Sequence, residues 1–119
     1  MPTGFFDHQG KRMYLIDAEG VGRDDVEAIA DRAASEIRAQ PLGSVLTITH
    51  VKDARVDMKV VDTLRKLAEG DAPYVKAACV TGLSAAQRIV FNTVRILSRR
   101  DLKLFDTVEE AKEYLAKVP

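Results

Sequence analysis

The sequence predicts an α/β domain with the element order β-β-α-β-α-β-α-β-α, a mixed, mostly parallel five-stranded sheet with four helices. After an initial hairpin, predicted strands and helices alternate along the chain, and alternation favours parallel strands joined by right-handed crossovers. Predicted strands 44–50 and 74–80 are largely apolar on both faces, a pattern typical of central strands. The length of 119 residues indicates a single domain over 1–119.

The first half of the chain supplies a hairpin, a helix, a strand and a second helix. Strands 4–8 and 13–16 flank the turn Gln9-Gly10, so they should pair antiparallel. Apolar residues recur at helical spacing through 24–40, which predicts the first helix. Asp57 should cap a second helix that runs to residue 69, with Met58 on its buried side. Gly70 follows as its expected C-terminal cap.

The second half repeats the alternation with clearer helix starts. Ser84 with Gln87, and Thr107 with Glu110, have the S/T-x-x-E/Q spacing of a capping box. They predict a third helix that ends near residue 98 and a fourth helix close to the end of the sequence. The short strand 102–105 lies between these helices. Because its pattern is mixed, we expect it at one edge of the sheet, with strand 4–8 at the other.

Composition limits the classes of function. Lys plus Arg and Asp plus Glu both number 18, so the formal net charge is zero, which argues against a duplex nucleic-acid partner. The first residues show no secretory leader and no apolar run approaches the ~20 residues of a membrane span. We therefore expect a cytoplasmic protein without a transmembrane segment. The single cysteine, Cys79, lies in an apolar run and is interpreted as a core residue.

Candidate ligand-binding residues follow the predicted strands. In open α/β sheets, ligands bind beyond the carboxyl ends of parallel strands. The residues that the sequence places at these ends are Asp17 and Glu19, then His50, Asp53 and Arg55, then Thr81, Gly82 and Ser84. Of these, Thr81, Gly82, Ser84, His50 and Asp53 are the predicted ligand-binding set.

Several chemistries were weighed for these residues. A nucleophilic triad of Asp17, His50 and Ser84 is disfavoured because the G-x-S-x-G elbow is absent. His50 and Asp53 are too few for a metal site, and an enzyme that uses Asp17, His50 and Asp53 ranks last. The turn at 81–84 precedes a helix, where free backbone N–H groups can bind an anion, although turning and capping also explain it. We therefore expect no catalytic residues, no metal and no cofactor.

The third helix supplies a candidate protein-binding surface. On a helical wheel, Ala86, Val90 and Leu97 lie near the centre of the expected buried face, and Ile89 widens that face on one side. The expected outward set is Arg88, Phe91, Arg95 and Arg99. An exposed aromatic residue among arginines is typical of protein-contact hot spots, although a single exposed ring under Arg side chains is also common. A homodimer that buries Phe91 is a further possibility.

The segment VTGLSAAQRIVFNTVRILSRRDLKLFDTVEEAKEYL, residues 80–115, resembles the STAS superfamily, the anti-sigma-factor-antagonist-like fold. The shared features are the turn, Gln87 after the capping Ser84, Asn92 in mid-helix, the basic helix end and the F-D-[ST]-x-E-E-A run. Within the superfamily the chain is most similar to a branch of small bacterial STAS-like proteins. The element order agrees over nearly the whole chain.

The resemblance implies a non-enzymatic module that binds protein partners or small ligands, and a protein partner is the leading expectation. Signalling members of the superfamily carry a phosphorylated Ser or Thr at the start of the second helix. The corresponding stretch here, 51–58, contains no hydroxyl side chain, so the phosphorylation switch is not expected. The alternative expectation is a small anionic or lipid-like ligand at the strand ends.

Overall fold

The computed structural model describes residues 3–54, 57–98 and 102–119 and confirms the predicted α/β class and element order. The elements are β1 (Gly4–His8), β2 (Lys11–Asp17), α1 (Arg23–Ile37), β3 (Val45–His50), α2 (Met58–Asp71), β4 (Val75–Thr81), α3 (Ala85–Ser98), β5 (Leu102–Phe105) and α4 (Val108–Ala116). Within these residues, no helix is both long enough and apolar enough to span a membrane.

The five strands form one sheet in the order β1-β2-β3-β4-β5. β1 and β2 pair antiparallel across the Gln9-Gly10 turn. The pairs β2–β3, β3–β4 and β4–β5 are parallel. This order confirms the prediction that β3 is central and that β1 and β5 form the edges. The physical reason is that both faces of β3 and β4 carry apolar side chains, which helices cover.

Alternate residues of the strands pack on different helices. Tyr14 and Ile16 of β2 share a core cluster with Ile37 of α1, whereas Met13 of the same strand packs with Leu115 of α4. Because successive side chains of a strand point to opposite faces, α1 and α2 cover one face and α4 covers the other. Phe91 of α3 packs with Val80 and α2 residues, which places α3 beside α2.

Side-chain caps fix the starts of three helices. The Asp57 carboxylate accepts a hydrogen bond from the Val60 N–H at 2.9 Å. Ser84 and Gln87 form the predicted reciprocal capping box, with bonds of 2.9 and 3.2 Å. Thr107 Oγ1 accepts from the Glu110 N–H at 3.2 Å. These caps begin α2, α3 and α4 directly after the sheet's strand ends, which positions the candidate site described below.

Two predictions about α2 are wrong. Gly70 lies inside the helix, which continues to Asp71, and the Arg38 guanidinium occupies the space where a Cβ at position 70 would stand. The glycine therefore admits a side chain from α1 and does not end α2. Met58 is 74% exposed, because it is the first residue of α2 and precedes the turns that pack on the sheet.

The predicted outward position of Phe91 is also wrong. Phe91 is 5% exposed and belongs to a core cluster with Val80 and Leu64. Ala86 and Ile89, expected on the buried side, are both exposed. α3 carries apolar residues around much of its circumference, so several rotations satisfy a hydrophobic pattern. In the rotation that α3 adopts, the Phe91 ring packs against Val80 of β4 and Leu64 of α2.

Candidate functional site at the carboxyl-end rim

The four parallel strands end on the same side of the sheet, and their connecting segments form a continuous rim. We call this surface the carboxyl-end rim; its segments are 17–27, 51–54 together with 57–59, 82–89 and 106–110. Backbone hydrogen bonds join these segments: Ala18 N–H to His50 O at 2.8 Å, Gly20 N–H to Lys52 O at 2.9 Å, and Val51 N–H to Thr81 O at 3.0 Å. The rim is therefore fixed by the same kind of bond as the sheet.

His50 is held in one orientation at the end of β3. Its Nδ1 lies 2.7 Å from Thr81 Oγ1 on the neighbouring strand, and Thr81 is fully buried. Its Nε2 lies 3.6 Å from Glu19 Oε1, which is longer than a direct hydrogen bond. The His50 side chain is 12% exposed. The edge of the imidazole ring that carries Nε2 therefore faces the rim.

Gly82 brings two rim segments into close contact. Its φ is +83°, and an added Cβ would lie 2.7 Å from the Lys52 backbone nitrogen. Gly82 also donates its N–H to Phe105 O at 3.3 Å. Glycine is required here both because L residues disfavour this conformation and because a side chain has no space.

A cleft of about 400 Å³ opens between these segments. The cleft is widely open to solvent, whereas sites that bury most of a small ligand are more enclosed. The residues that line it are Glu19, His50, Lys52, Gly82, Leu83, Asp106, Thr107, Val108 and Glu109. The cleft thus brings together the ends of β2, β3, β4 and β5.

Charges in the cleft are largely balanced. Asp106 forms an ion pair with Arg88, Glu109 lies 3.3 Å from Lys112 Nζ, and Glu19 lies beside His50. Lys52 adds one further positive charge. A strongly anionic ligand needs an excess of positive charge or several donors, which this lining does not provide.

The predicted ligand-binding residues have different positions and roles. His50 and Gly82 line the cleft, whereas the Thr81 side chain is buried against His50 and acts on a ligand only through that ring. The Ser84 hydroxyl and N–H are both engaged in the capping box. Asp53 is exposed at the tip of its loop with φ of +56° and does not line the cleft, while Arg55 lies outside the described residues.

Metal coordination has no support among residues 3–54, 57–98 and 102–119, where no group of three His, Cys, Asp or Glu side chains is placed to hold an ion. Asp17 accepts a hydrogen bond from the Glu19 N–H at 3.1 Å, which shapes the turn after β2. The arrangement at the rim is suited to binding and orienting a group through hydrogen bonds.

The predicted protein-binding set on α3 does not form as expected. Phe91 is buried, and Arg88 is directed toward Asp106 in the loop before α4. Arg99 and the side chain of Arg95 lie outside the part of the chain that the structure describes. A dimer built on an exposed Phe91 is therefore wrong.

Three large apolar side chains are exposed on the described surface. Met58 is 74% exposed and Ile89 is 71% exposed; they lie at the starts of the neighbouring helices α2 and α3, on the rim. Leu42 is 72% exposed, but it precedes β3 and therefore lies at the opposite end of the sheet. The rim thus carries two of these side chains, and Leu42 offers a matched control.

An apolar cavity of about 60 Å³ lies under α2 and α3, away from the rim. Thr47, Ala78, Leu67 and Phe91 contribute to its lining. It is smaller than the roughly 150 Å³ cavity known to hold benzene. Burial raises the pKa of the neighbouring Cys79 thiol to about 12, so this cysteine is a packing residue.

Sequence reasoning missed the contribution of the last loop. Asp106, Thr107, Val108 and Glu109 line the cleft, but the predicted ligand-binding residues follow only the first three parallel strands. β5 is also parallel to β4, so the same strand-end rule locates this loop. Lys52 was missed because its importance depends on its contact with Gly82, which no sequence pattern reveals.

The fold and the rim define an α/β protein with a ligand-accessible strand-end surface. No family model, no curated protein and no solved structure matches the chain. The function is therefore argued from the geometry of the rim.

Proposed function

We propose that this chain is a non-enzymatic binding module with a STAS-like fold, and that a protein partner docks on the carboxyl-end rim. The observation that carries the proposal is the exposure of Met58 and Ile89, at 74% and 71%, near the starts of the adjacent helices α2 and α3. Large apolar side chains that a folded chain leaves in water are candidate contact points for a partner.

The rigidity of the rim supports this proposal. Main-chain hydrogen bonds connect the loops after β2, β3 and β4, and Asp57 and Ser84 cap the two helices concerned. A preformed surface loses little conformational entropy when a partner binds. Ile89 takes the place of Phe91 as the apolar anchor on α3, and the STAS-like element order is consistent with a binding module.

The test is site-specific photo-crosslinking in cells. A photoreactive phenylalanine analogue at position 89 should form an adduct with another protein, because the side chain faces solvent on the docking surface. The same analogue at position 42 is the matched control, since Leu42 is equally exposed at the other end of the sheet. The absence of an adduct at position 89, or equal adducts at both positions, would contradict the proposal.

A second candidate function is small-molecule binding in the cleft. The observation that favours it is the 400 Å³ space next to the oriented His50 ring. Because the lining charges are balanced, a neutral, hydrogen-bonding ligand fits better than the anionic or lipid-like ligand that the sequence suggested. A ligand at 100 times its Kd stabilises the folded state by about 2.7 kcal/mol.

A thermal-shift panel of inositol, glucose, adenosine, phosphate, spermidine and octanoate tests this candidate. A compound that raises the Tm of the wild type but not of Lys52→Glu or His50→Gln would support the cleft as its site. A panel without any shift, or a shift that both variants retain, would count against it.

A further inference from the structure

The edge strand β1 carries main-chain groups that its neighbour in the sheet does not pair. Among the described residues, β1 bonds to β2 alone. Both residues of the connecting turn, Gln9-Gly10, have positive φ, the type I′ geometry of a two-residue hairpin. His8 and Lys11, which flank this turn, therefore exchange main-chain hydrogen bonds, and bonded positions alternate along the strand. At Phe5 and Asp7 the N–H and C=O groups consequently face away from β2.

β1 lacks the features that protect most edge strands from further pairing. Natural edges are short or bulged, or they carry lysine or proline. β5, at the opposite edge, fits this description because it has four residues and an exposed Lys103. β1 has five residues, GFFDH, and stays in regular register with β2 throughout. Such an edge can accept one more strand.

Two opposite charges beside this edge lack an ion-pair partner. Asp7 and Arg12 are direct cross-strand neighbours, and both are exposed. The Arg12 guanidinium nevertheless lies over the Phe5 ring, 3.8 Å from its centroid. Neither side chain forms an ion pair within residues 3–54, 57–98 and 102–119. A positive charge therefore lies at Phe5, and a negative charge lies two residues further along the same strand.

A second copy of β1 fits this edge in an antiparallel arrangement about a twofold axis. The outward groups pair when Phe5 of one copy lies opposite Asp7 of the other. Each of the two symmetry-related Phe5–Asp7 pairs then exchanges main-chain hydrogen bonds in both directions. Phe6 lies on the axis, opposite Phe6 of the second copy. Gly4, which has no side chain, lies opposite the His8 ring.

Charge selects this register over its neighbours. Directly opposite side chains have Cβ atoms about 4.5–5.5 Å apart, so the Asp7 carboxylate of one copy lies beside the Phe5 ring and the Arg12 guanidinium of the other. A shift of two residues in one direction places Asp7 opposite Asp7, where like charges repel. The opposite shift moves Asp7 to Thr3 and away from Arg12. A shift of one residue sets outward groups against groups that β2 already bonds.

We infer that the chain forms a twofold-symmetric dimer through antiparallel pairing of β1 with β1 of a second copy, which joins two five-stranded sheets into one. Main-chain bonds at Phe5 and Asp7, contact between the two Phe6 rings and reciprocal Asp7–Arg12 ion pairs hold it. The carboxyl-end rim takes no part, so this inference is independent of the proposed function. Because one strand pair is a small interface, the dimer should dissociate on dilution.

Sedimentation velocity of the full chain, from the micromolar to the millimolar range, tests the dimer. We expect a monomer–dimer equilibrium that Asp7→Lys weakens at least tenfold, because this change places two positive charges side by side. Asp7 is exposed, so Asp7→Lys leaves the core intact. Adding Arg12→Glu to Asp7→Lys should recover most of the lost affinity, since the ion pair forms again with reversed signs. Lys103→Gln on β5 is the matched control and should leave the Kd within twofold of the wild type.

Three outcomes of this experiment would overturn the inference. The first is a monomer at every concentration. The second is a dimer that Asp7→Lys does not weaken, which places the interface elsewhere. The third is a double variant that recovers no affinity, which removes the contact between Asp7 and Arg12.

Disulfide formation tests the register. Antiparallel residues that face each other without main-chain bonds have Cα atoms about 4.5 Å apart, a separation that a disulfide spans. Phe6→Cys should therefore give a disulfide-linked dimer with oxidised glutathione, and the native Cys79 is buried and does not compete. Asp7→Cys is the control, because its two copies lie more than about 7 Å apart in this register. Preferential linkage of Asp7→Cys would contradict the proposed pairing.

Discussion

Gly82 packs against the backbone of Lys52 so closely that a Cβ at position 82 would lie 2.7 Å from the Lys52 nitrogen. This contact joins the loop after β3 to the loop after β4, and both loops line the cleft. The backbone conformation of Gly82, with φ of +83°, brings the two loops together. The shape of the rim therefore depends on a residue without a side chain.

Gly82→Ala should destabilise the protein by about 2–4 kcal/mol, because the strain of a positive φ adds to the overlap with Lys52. Gly10→Ala is the matched control, since Gly10 has φ of +78° but no atom within 4 Å of the added Cβ. It should cost about 1–2 kcal/mol. Urea unfolding measures both values, and equal losses would show that the Lys52 contact contributes nothing.

The rotation of α3 leads to a second prediction. Phe91→Ala should lower the free energy of unfolding by about 3–5 kcal/mol, as expected for a large side chain removed from a core. Ile89→Ala should change it by less than about 0.5 kcal/mol, because Ile89 is 71% exposed and surface substitutions have small effects. Urea unfolding of the two variants tests this rotation of α3. In the rotation that the helical wheel predicts, Ile89→Ala would cost more unfolding free energy than Phe91→Ala.

Much of the fold was predictable because separate local signals agreed. The alternation of elements, the apolar character of β3 and β4, and the Ser84 and Thr107 caps all indicated the same architecture. Each signal acts over a few residues, so a single sequence contains it. The strand-end rule then located His50 and Gly82 at the rim, and both line the cleft.

The rotation of α3 and the details of the rim required tertiary information. A helix that is apolar around much of its surface has no unique buried face, and the packing of Phe91 with Val80 and Leu64 depends on residues far from it in the sequence. The Arg38 side chain, at the end of α1, lies over Gly70 of α2. These two helices are separated in the sequence by β3. A helical wheel or a capping rule considers one helix at a time. It therefore does not include residues that other helices and strands bring into contact with that helix.

The bond between Thr81 and His50 gives a prediction about the cleft itself. Thr81→Val keeps the shape of the side chain but removes the hydroxyl that lies 2.7 Å from His50 Nδ1. Because His50 is mostly buried, loss of this partner should cost about 1–3 kcal/mol. Nitrogen NMR of the imidazole should show a defined tautomer in the wild type and a mixture in the variant.

Thr47→Val is the control for the Thr81 experiment, because Thr47 is also buried on a central strand but lies away from the rim. It should leave the His50 ring signals unchanged. A defined His50 tautomer in Thr81→Val would show that another group orients the ring.

Cys79 should be unreactive in the native protein. It is 1% exposed, and burial raises its pKa to about 12, so the reactive thiolate is nearly absent at neutral pH. Labelling by a thiol-specific disulfide reagent should proceed at the rate of opening or unfolding and become rapid in urea. Stoichiometric labelling that is fast in native buffer would contradict this structure.

The same burial predicts a dependence of stability on alkaline pH. The ordinary pKa of a cysteine thiol is 9.0 and burial raises the pKa of Cys79 to about 12. Between these two pH values the unfolded chain has therefore lost a proton that the folded chain retains. The contribution of Cys79 is therefore fully present below about pH 9 and is lost as pH rises toward 12. Cys79→Ala should remove this part of the alkaline loss, measured by urea unfolding at a series of pH values.

Arg38, Gly70 and Asp71 yield a prediction in which two effects oppose each other. Arg38 Nε donates to Asp71 Oδ1 at 2.9 Å, and the Asp71 side chain is 5% exposed. A Cβ on residue 70 would overlap the Arg38 guanidinium and displace it from Asp71. Against this loss, Ala in a helix interior is favoured over Gly by about 1 kcal/mol.

Gly70→Ala should therefore lower the free energy of unfolding by about 1–2 kcal/mol in the wild type, because taking Arg38 away from the buried Asp71 carboxylate costs about 2–3 kcal/mol and the helix gain of about 1 kcal/mol offsets only part of that cost. In an Arg38→Ala background the displaced group is absent, and the same substitution should stabilise by about 1 kcal/mol. A double-mutant cycle measured by urea unfolding gives this coupling directly. Equal effects of Gly70→Ala in the two backgrounds would mean that Arg38 does not need the space that the glycine provides.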